Sequence, residues 1–529
     1  MAAMEARLTT PLSSLTEGSE LAQLREEIGR LREQIADLKR QLDWFKRQLF
    51  GQKSERRGVE PPPEQMSLGE GLERDVPASA PAQQIPAHSR RPAERRSAEG
   101  DEASSLFFDP AKVPVEVIPV PNPEIEGLTG DPYAVIGEKV SDRLAQRPGS
   151  HVILKYVRPV IKRRDTQALS CPPAPVGVLE HSRADESFVT GLILDKFLYH
   201  QPLYRQHQRL KDNGIQVSRP WLTGLVQSAA ALLEPLYEAQ FQSIRDSRVK
   251  SMDETPIKAG TQGNGKMKTG YFWPIYGERD EIVFPFFPTR SARCVQESLG
   301  PAPPEGAVLI SDGYSAYARY AETMGLTHAQ CWTHARRPFV RAQPVEPEAA
   351  AQALDAIGEL YAVEAQIREQ GLAGEAKRRY RMERAKPVVD RFFAWVDAQL
   401  HAGAFLPTNP LTQALGYVLE RRAGLSVYLT DPEVPIDTNH LERALRVIPM
   451  GRKNWLFAWT EVGAKAVGIL QSLLVTCRLQ DVNPYDYLVD VLQRISQHPA
   501  SQVHQLTPRL WKQHFAHQPL RAPLDTLGA

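Results

Sequence analysis

The chain has 529 residues, 42% hydrophobic and 24% charged, with a net charge of +1; it is too long for one ordinary domain and has the balance of a globular protein, not a disordered or fibrous one. So small a net charge excludes a globally basic coat for nucleic acid, and contact with phosphates must come from local clusters. The four cysteines, Cys171, Cys294, Cys331 and Cys477, form no C-x-x-C pair, which excludes a disulfide framework and a local zinc motif, and with no signal-peptide layout and no run of about 18 apolar residues the expected place is the cytoplasm, away from membranes.

Residues 1–18 are expected to be disordered, and a heptad seam follows over 19–57. Leu21, Ile28, Ile35, Leu42 and Leu49 fall at a, with Leu24, Leu31, Leu38 and Phe45 at d. Ile at a with Leu at d favours a parallel two-stranded coiled coil. Leu24, Ile28, Leu31, Ile35, Leu38 and Leu42 are therefore the dimerisation residues, supported by Glu20 and Glu27 at g and Arg25, Arg32, Lys39 and Lys46 at e. The competing reading is an amphipathic helix packed on its own domain. Lys46, Arg47, Lys53, Arg56 and Arg57 make a basic end that suits either phosphate or plain solvent. Residues 58–104 are rich in Pro, Ser and Ala and cannot bury enough apolar surface to order, which predicts a linker.

Between 105 and 178 the strand-like runs 113–120 and 151–158 predict a small β domain. Its edge carries Lys155, Arg158, Lys162, Arg163 and Arg164, a candidate phosphate contact. From 179 to 245 the pattern is helical: 188–198, 202–212 and a third helix from 218 to 226, with Asn213-Gly214 as a stop. Ser218 supplies an N-cap and Pro220 sits in the first turn. Two helices joined by a Gly-containing turn fit a helix-turn-helix, with Arg219 and Thr223 at the end that would meet base edges; an ordinary helical hairpin has the same signature.

The region 246–460 reads as strands over 248–257, 269–277 and 281–287, with Gly263-Asn264-Gly265 as a hairpin tip, then a helix over 291–299 and a strand over 307–311. Asp253 is placed mid-sheet on the first strand and Asp312 at the end of the fourth. An unpaired acid inside an apolar strand is costly, and Glu254 points to the opposite face. A charged helical insertion is expected over about 340–425, with Lys377 to Arg381 as a basic cluster. Next comes the stretch from Asp437 to Phe457, where Leu441, Leu445 and Ile448 mark a helix face beside Glu442 and Arg446, and Pro449 is expected to stop the helix. Asn439 and Glu442 also fit a capping box, which alone would account for both. Amphipathic helices over 463–479 and 484–495 close the chain within a helical region 461–529.

Two strand-borne aspartates and a helix-borne glutamate are the ligands a two-Mg²⁺ phosphoryl-transfer site needs, since magnesium takes hard oxygen ligands and a metal pair activates the attacking oxygen and neutralises the leaving one. At Asp253-Glu-Thr-Pro256, Thr269-Gly-Tyr271, Ser311-Asp-Gly-Tyr314, Cys331 to Arg337, Asn439 to Arg446 and Gly451 to Phe457 the sequence resembles the IS66 family of transposases. The resemblance implies a multidomain α+β protein with an RNase H-like catalytic domain of the Asp-Asp-Glu class. It also implies Asp253, Asp312 and Glu442 as catalytic metal ligands for two Mg²⁺, with Mn²⁺ able to substitute. Further implications are 3′-end cleavage and strand transfer at the element's inverted repeats, assembly as a homodimer or larger, and two small accessory proteins as partners. Arg336, Arg337, Arg443, Arg446, Arg452 and Lys453 join Arg219 and Thr223 as expected contacts to double-stranded DNA. Family members usually carry a zinc ribbon near 105–178; here Cys171 is the one cysteine left in that region, so no zinc is expected. Two rival readings remain: a dimeric helix-turn-helix regulator with an inert domain, and a hydrolase of sugars or simple phosphates.

If the seam is a coiled coil, Lys at both Ile28 and Ile35 puts charge at two a positions. A 1–60 fragment should then sediment as a dimer and the double variant as a monomer; a monomeric wild-type fragment at tens of micromolar would sink the idea.

Overall fold

In the computed structural model the described residues are 107–526, except 109, 111–112, 124–132, 148, 166, 176, 180–181, 262–265, 404–405 and 456–457. The heptad seam from Leu24 to Leu42, the 58–104 linker and the Gly263-Asn264-Gly265 tip lie outside them. Strands β1 (Val115–Pro119), β2 (Tyr133–Arg147), β3 (Ser150–Arg163) and β4 (Leu169–Ser170) form the expected sheet. β2 and β3 pair antiparallel, turning at Gly149, whose φ of +82° suits a residue without a Cβ. β1 lies parallel to β3. Side chains alternate across this ribbon: Ala145, Val152, Leu154 and Tyr156 cluster with Leu524, while Leu144 and Ile153 face the main core.

Helices α1 (Glu186–Phe197), α2 (Leu203–Asp212) and α3 (Arg219–Arg245) follow. Asp185 and Ser218 cap the first and third through the backbone N–H groups of Ser187 and Trp221. α3 runs far past the expected end at 226, to 27 residues, because its apolar stripe from Leu222 to Ile244 continues into the core.

The chain then builds two sheets from three folded ribbons. β5 (Val249–Met252), β8 (Ile275–Gly277) and β9 (Glu281–Val283) belong to one; β6 (Thr255–Thr261), β7 (Met267–Phe272) and β10 (Phe286–Phe287) to the other. Each of the three long strands expected from sequence is thus two short ones. The breaks fall at Asp253-Glu254, Trp273-Pro274 and Phe284-Pro285. Proline has no N–H for the ladder, and at the joints Asp253 N–H donates to Pro274 O at 3.2 Å and Trp273 N–H to Pro285 O at 2.9 Å. Asp253 is therefore not mid-strand; it stands just beyond the end of β5. After α4 (Ala292–Leu299), β11 (Val308–Ser311), α5 (Ser315–Met324) and β12 (Thr327–Gln330) complete a five-stranded sheet of order β12-β11-β5-β8-β9, with β12, β11 and β5 parallel and β8 and β9 antiparallel.

Helix α6 (Trp332–Ala342) leads into the insertion, α7 (Pro347–Glu369), α8 (Gly374–Arg384), α9 (Lys386–Ala402), α10 (Pro410–Glu420) and α11 (Arg422–Thr430). Its core, built on Trp332, Phe339, Phe392 and Phe393, joins the sheet at Val249, Val308 and Ile310. The basic cluster expected at 377–381 is in part structural. Arg381 is fully buried, gripping Glu364 with bonds of 2.7 and 2.9 Å and donating to the carbonyls of Tyr428 and Val434.

α12 (Asn439–Leu445) and α13 (Val447–Trp455) divide at Arg446. Pro449 does not stop the helix; it occupies the first turn of α13, where a missing N–H costs nothing. α14 (Glu461–Leu479) is buried all round from Ala466 to Cys477, not amphipathic. It is long and apolar enough to cross a membrane, yet it packs inside the protein against α3, α1 and β9. Its polar residues serve the sheet edge: Ile282 N–H donates to Thr476 Oγ1 at 3.2 Å, Phe284 N–H to Ser472 Oγ at 2.9 Å, and Gln240 Nε2 bridges Ile282 O and Thr476 Oγ1. α15 (Pro484–Arg494), a 3₁₀ turn at Ala500–Leu506, α16 (Pro508–His514) and α17 (Pro523–Thr526) finish the chain, with Trp511 Nε1 donating to buried Asp490 at 2.6 Å.

A Cβ added at Gly468 on α14 would lie 2.3 Å from Phe284 O. Gly468→Ala should therefore lower stability by about 1–3 kcal/mol through overpacking, read as a lower denaturant midpoint. An unchanged midpoint would mean that α14 is free to shift off β9.

Candidate active site

β5 and β11 are parallel neighbours with Ser251 opposite Ile310, so the same register carried two residues on sets Asp253 against Asp312, just past the ends of both strands. Each carboxylate is turned by a short local bond. Glu254 N–H donates to Asp253 Oδ1 and Tyr314 N–H to Asp312 Oδ1, both at 2.8 Å. Neither Oδ2 has a hydrogen-bond or ion-pair partner among the described residues. Burial, with the nearby charges of Glu254, Asp312 and Glu442 adding to it against the Glu254 N–H bond, raises the Asp253 carboxyl to about 7.

Glu442 comes from α12, whose opposite face buries Leu441, Ala444 and Leu445. Its carboxylate turns toward α6, taking Arg337 Nη2 at 2.7 Å with His334 Nε2 at 3.7 Å. Burial, then Arg337, lowers the His334 pKa. The capping-box alternative is not what the helix uses. Asp437 holds the start of α12, accepting from Asn439 N–H at 3.0 Å and Asn439 Nδ2 at 2.6 Å, and is itself held by Tyr361 OH at 2.9 Å. Cys331 is buried beneath this turn, its Sγ accepting from Thr438 N–H and Oγ1 at 3.3 Å, which is a structural task.

Oxygen-only donors suit a hard divalent cation, not zinc. The two open Oδ2 atoms, with the Asp253 carboxyl pushed up by burial and by its neighbours' charge, fit such an ion. Among the described residues, however, no three His, Cys, Asp or Glu side chains are close enough to hold a metal as they stand. Glu442 would have to exchange Arg337 for the aspartates.

The expected DNA contacts fall in two places. Arg336 and Arg337 on α6, Arg443 on α12, Arg446 at the joint and Lys453 on α13 are exposed, and Arg337 contacts Glu442. Arg452, beside them, is tied to Pro256 O. Arg219 lies apart, exposed at the start of α3 with its guanidinium over the Tyr204 ring, and Thr223 Oγ1 donates to Arg219 O at 3.2 Å. A cavity of about 190 Å³ is lined by Lys196, Thr223, Gln227, Trp455 and Trp459. Glu254 is not a bystander on the far face. It is tucked beside the site, bound by Tyr317 OH at 2.6 Å and by Arg290. Its signal was only its adjacency to Asp253. Arg421, which reaches Gly313 from 108 residues away, had no sequence signal.

A pair of acids thus stands at adjoining strand ends, with a third on a helix paired to Arg337. Residues 181–466 match the model described as Transposase IS66 family, 472–509 the IS66 C-terminal element, and 30–117 the Transposase C of IS166 homeodomain. The first match alone covers more than half of the chain, which belongs to the IS66 family of transposases. The match described as homeodomain covers residues expected to be coiled coil and linker together with the start of the β region, and it does not bear on the expectation for 179–245. Three Sinorhizobium fredii proteins are similar: the uncharacterized proteins y4hP (29% identical, 73% of each chain), y4qI (29%, 71% of each) and y4jD (28%, 85% of this chain and 90% of its own).

Because Asp253 holds its proton more tightly folded than unfolded, its contribution to stability is full below about pH 4 and is lost as pH rises through about 7. Without divalent ions, Asp253→Asn should make the chain about 1–3 kcal/mol more stable than wild type at pH 8 and close to equal at pH 4. Melting curves across pH decide it, and a parallel pH dependence in both proteins would refute the assignment.

Proposed function

We propose that this chain is the transposase of its own insertion element, binding the element's ends, cutting at the 3′ ends and joining them to target DNA. The observation that carries this reading is the meeting of Asp253 and Asp312 at the ends of adjacent parallel strands, with Glu442 near enough for its charge to weigh on Asp253. The strand order supports an RNase H-like assignment for the catalytic region: β5, β8 and β9 antiparallel in succession, with β11 and β12 added parallel on the other side of β5. The amino-terminal region, through the 30–117 homeodomain-like match and the heptad seam, would hold the ends and pair two copies.

In this mechanism Asp253, Asp312 and Glu442 would hold the divalent cations. When bound, two such ions make the attacking water or 3′-OH more acidic and neutralise charge on the phosphate and leaving oxygen. The protein's own part is positional. The strand ends fix the two aspartates, Arg337 holds Glu442 until a phosphate competes for its guanidinium, and the exposed Arg336, Arg443, Arg446 and Lys453 steer the DNA backbone across the site. No covalent protein intermediate is needed.

Asp253→Asn, Asp312→Asn and Glu442→Gln keep shape but remove ligand charge, and should lower strand transfer by two or more orders of magnitude while leaving end binding intact. Arg219→Ala should do the reverse if it reads a base, weakening end binding by roughly 1–3 kcal/mol. Gel shifts paired with strand-transfer assays on labelled ends separate the two. Binding without nicking or joining under any divalent ion would favour a DNA-binding regulator, and a fully active Glu442→Gln would remove Glu442 from the site.

A further inference from the structure

Glu254 holds a cation beside the two strand-end acids. Arg290 stands in the loop between β10 and α4, and its Nη2 donates to Glu254 Oε1. A carboxylate and a guanidinium can form two parallel bonds. Glu254 makes one, because its Oε2 accepts instead from Tyr317 OH at 2.6 Å. The guanidinium lies over the Tyr314 ring, 4.6 Å from its centroid, and Tyr314 OH donates back to Arg290 O at 3.4 Å. Tyr314 is also the residue whose N–H turns Asp312. Arg290 is thus tied to the neighbours of both aspartates, Glu254 directly after Asp253 and Tyr314 two residues after Asp312, and the charge of Asp312 bears on it as well. Its supports are set in the core: Tyr317 is fully buried and meets Tyr314 edge to face at 5.8 Å and Trp273 at 6.2 Å. Arg290 itself is open to solvent. Its side chain is 45% exposed, against 6% for Glu254, which leaves room for an incoming group, and Nε and Nη1 have no acceptor among the described residues. A guanidinium fixed in direction by a ring and a buried acid, yet with donors unmatched on its open side, is suited to an oxyanion that is not part of this chain.

We propose that Arg290 binds the DNA phosphate presented to Asp253 and Asp312, an unmatched N–H of its guanidinium donating to a non-bridging oxygen while Glu254 and Tyr314 hold the group in place. The inference rests on the transposase reading and adds a substrate contact beyond the three acids and the basic residues of α6, α12 and α13. An Arg290 that only neutralised Glu254 would bring no preference for a charged phosphate, and removing acid and guanidinium together would then leave DNA binding unchanged.

The test uses the full chain and end DNA in Ca²⁺, which permits binding to be measured without turnover. Two substrates are compared, one with the natural phosphodiester at the cut site and one with a neutral methylphosphonate there. Arg290→Met should weaken binding of the natural end about tenfold and of the methylphosphonate end less than about twofold. Arg290→Lys, which keeps a charge but not the fork of donors, should recover only part of the loss. Glu254→Gln combined with Arg290→Met removes the stranded acid along with the guanidinium, and this double variant should keep the tenfold loss. Equal losses on both substrates, no loss on either, or recovery in the double variant would overturn the proposal. If wild type itself fails to bind ends, the transposase reading falls and takes this inference with it, an outcome distinct from a wild type that binds ends and prefers the phosphate equally with and without Arg290.

Discussion

Like charges gathered at one sheet end, partly out of water, are the constraint to which the surrounding structure answers. Four carboxylates, Asp253, Glu254, Asp312 and Glu442, feel one another there, and in a low-dielectric setting that repulsion must be offset or the groups take up protons. Two of the four have guanidinium partners, Glu254 through Arg290 and Glu442 through Arg337. Among the described residues, the two at the strand ends have none. The uncompensated charge is thus concentrated where β5 and β11 finish, and a divalent cation is the group that would relieve it.

Holding unpaired acids in place requires a frame that does not relax around them. α14 provides it by lying fully inside the protein and satisfying the edge of β9 with Ser472 and Thr476, so the sheet is closed by side chains where a further strand would otherwise pair. Trp273 and Tyr317, both fully buried, meet edge to face beneath the aspartates at 6.2 Å. On the other side, the buried Arg381–Glu364 pair ties α8 to α7 and to the carbonyls of Tyr428 in α11 and Val434 beyond it. Such a pair is worth little as net stability, but breaking one half would leave a buried charge.

The placement of Asp253 and Asp312 at strand ends was legible in the sequence because each closes a strand-like run, and the choice between metal ligand and capping box for Glu442 was legible only as a choice. Asp437 performs the cap, so Glu442 is left free for other partners. The ribbon breaks were written in Pro274 and Pro285, yet the continuous apolar runs across them read as single strands. α14 was misread for a subtler reason: Gln471, Ser472 and Thr476 look like a solvent face until their partners on α1 and β9 are seen. Arg381 shows the same limit in reverse, since a basic run reads as surface whether or not one member turns inward to a distant glutamate. Contacts closed over long separations, Arg421 on Gly313 above all, leave no local pattern.

The insertion links these observations. In sequence it separates the second acid from the third, and in space it fixes where the third can go: Tyr361 of α7 and Thr333 of α6 both hold Asp437, which starts the helix that carries Glu442. Its core shares Val249, Val308 and Ile310 with the strands that carry Asp253 and Asp312. A displacement of α7 would therefore be felt at the start of the helix that carries Glu442, and one of α11 at Gly313, without contact from either helix to Asp253, Asp312 or Glu442 among the described residues. An insertion wired in this way sets the geometry of the site from behind, so its helices are held to the catalytic region by packing that a detachable decoration would not need.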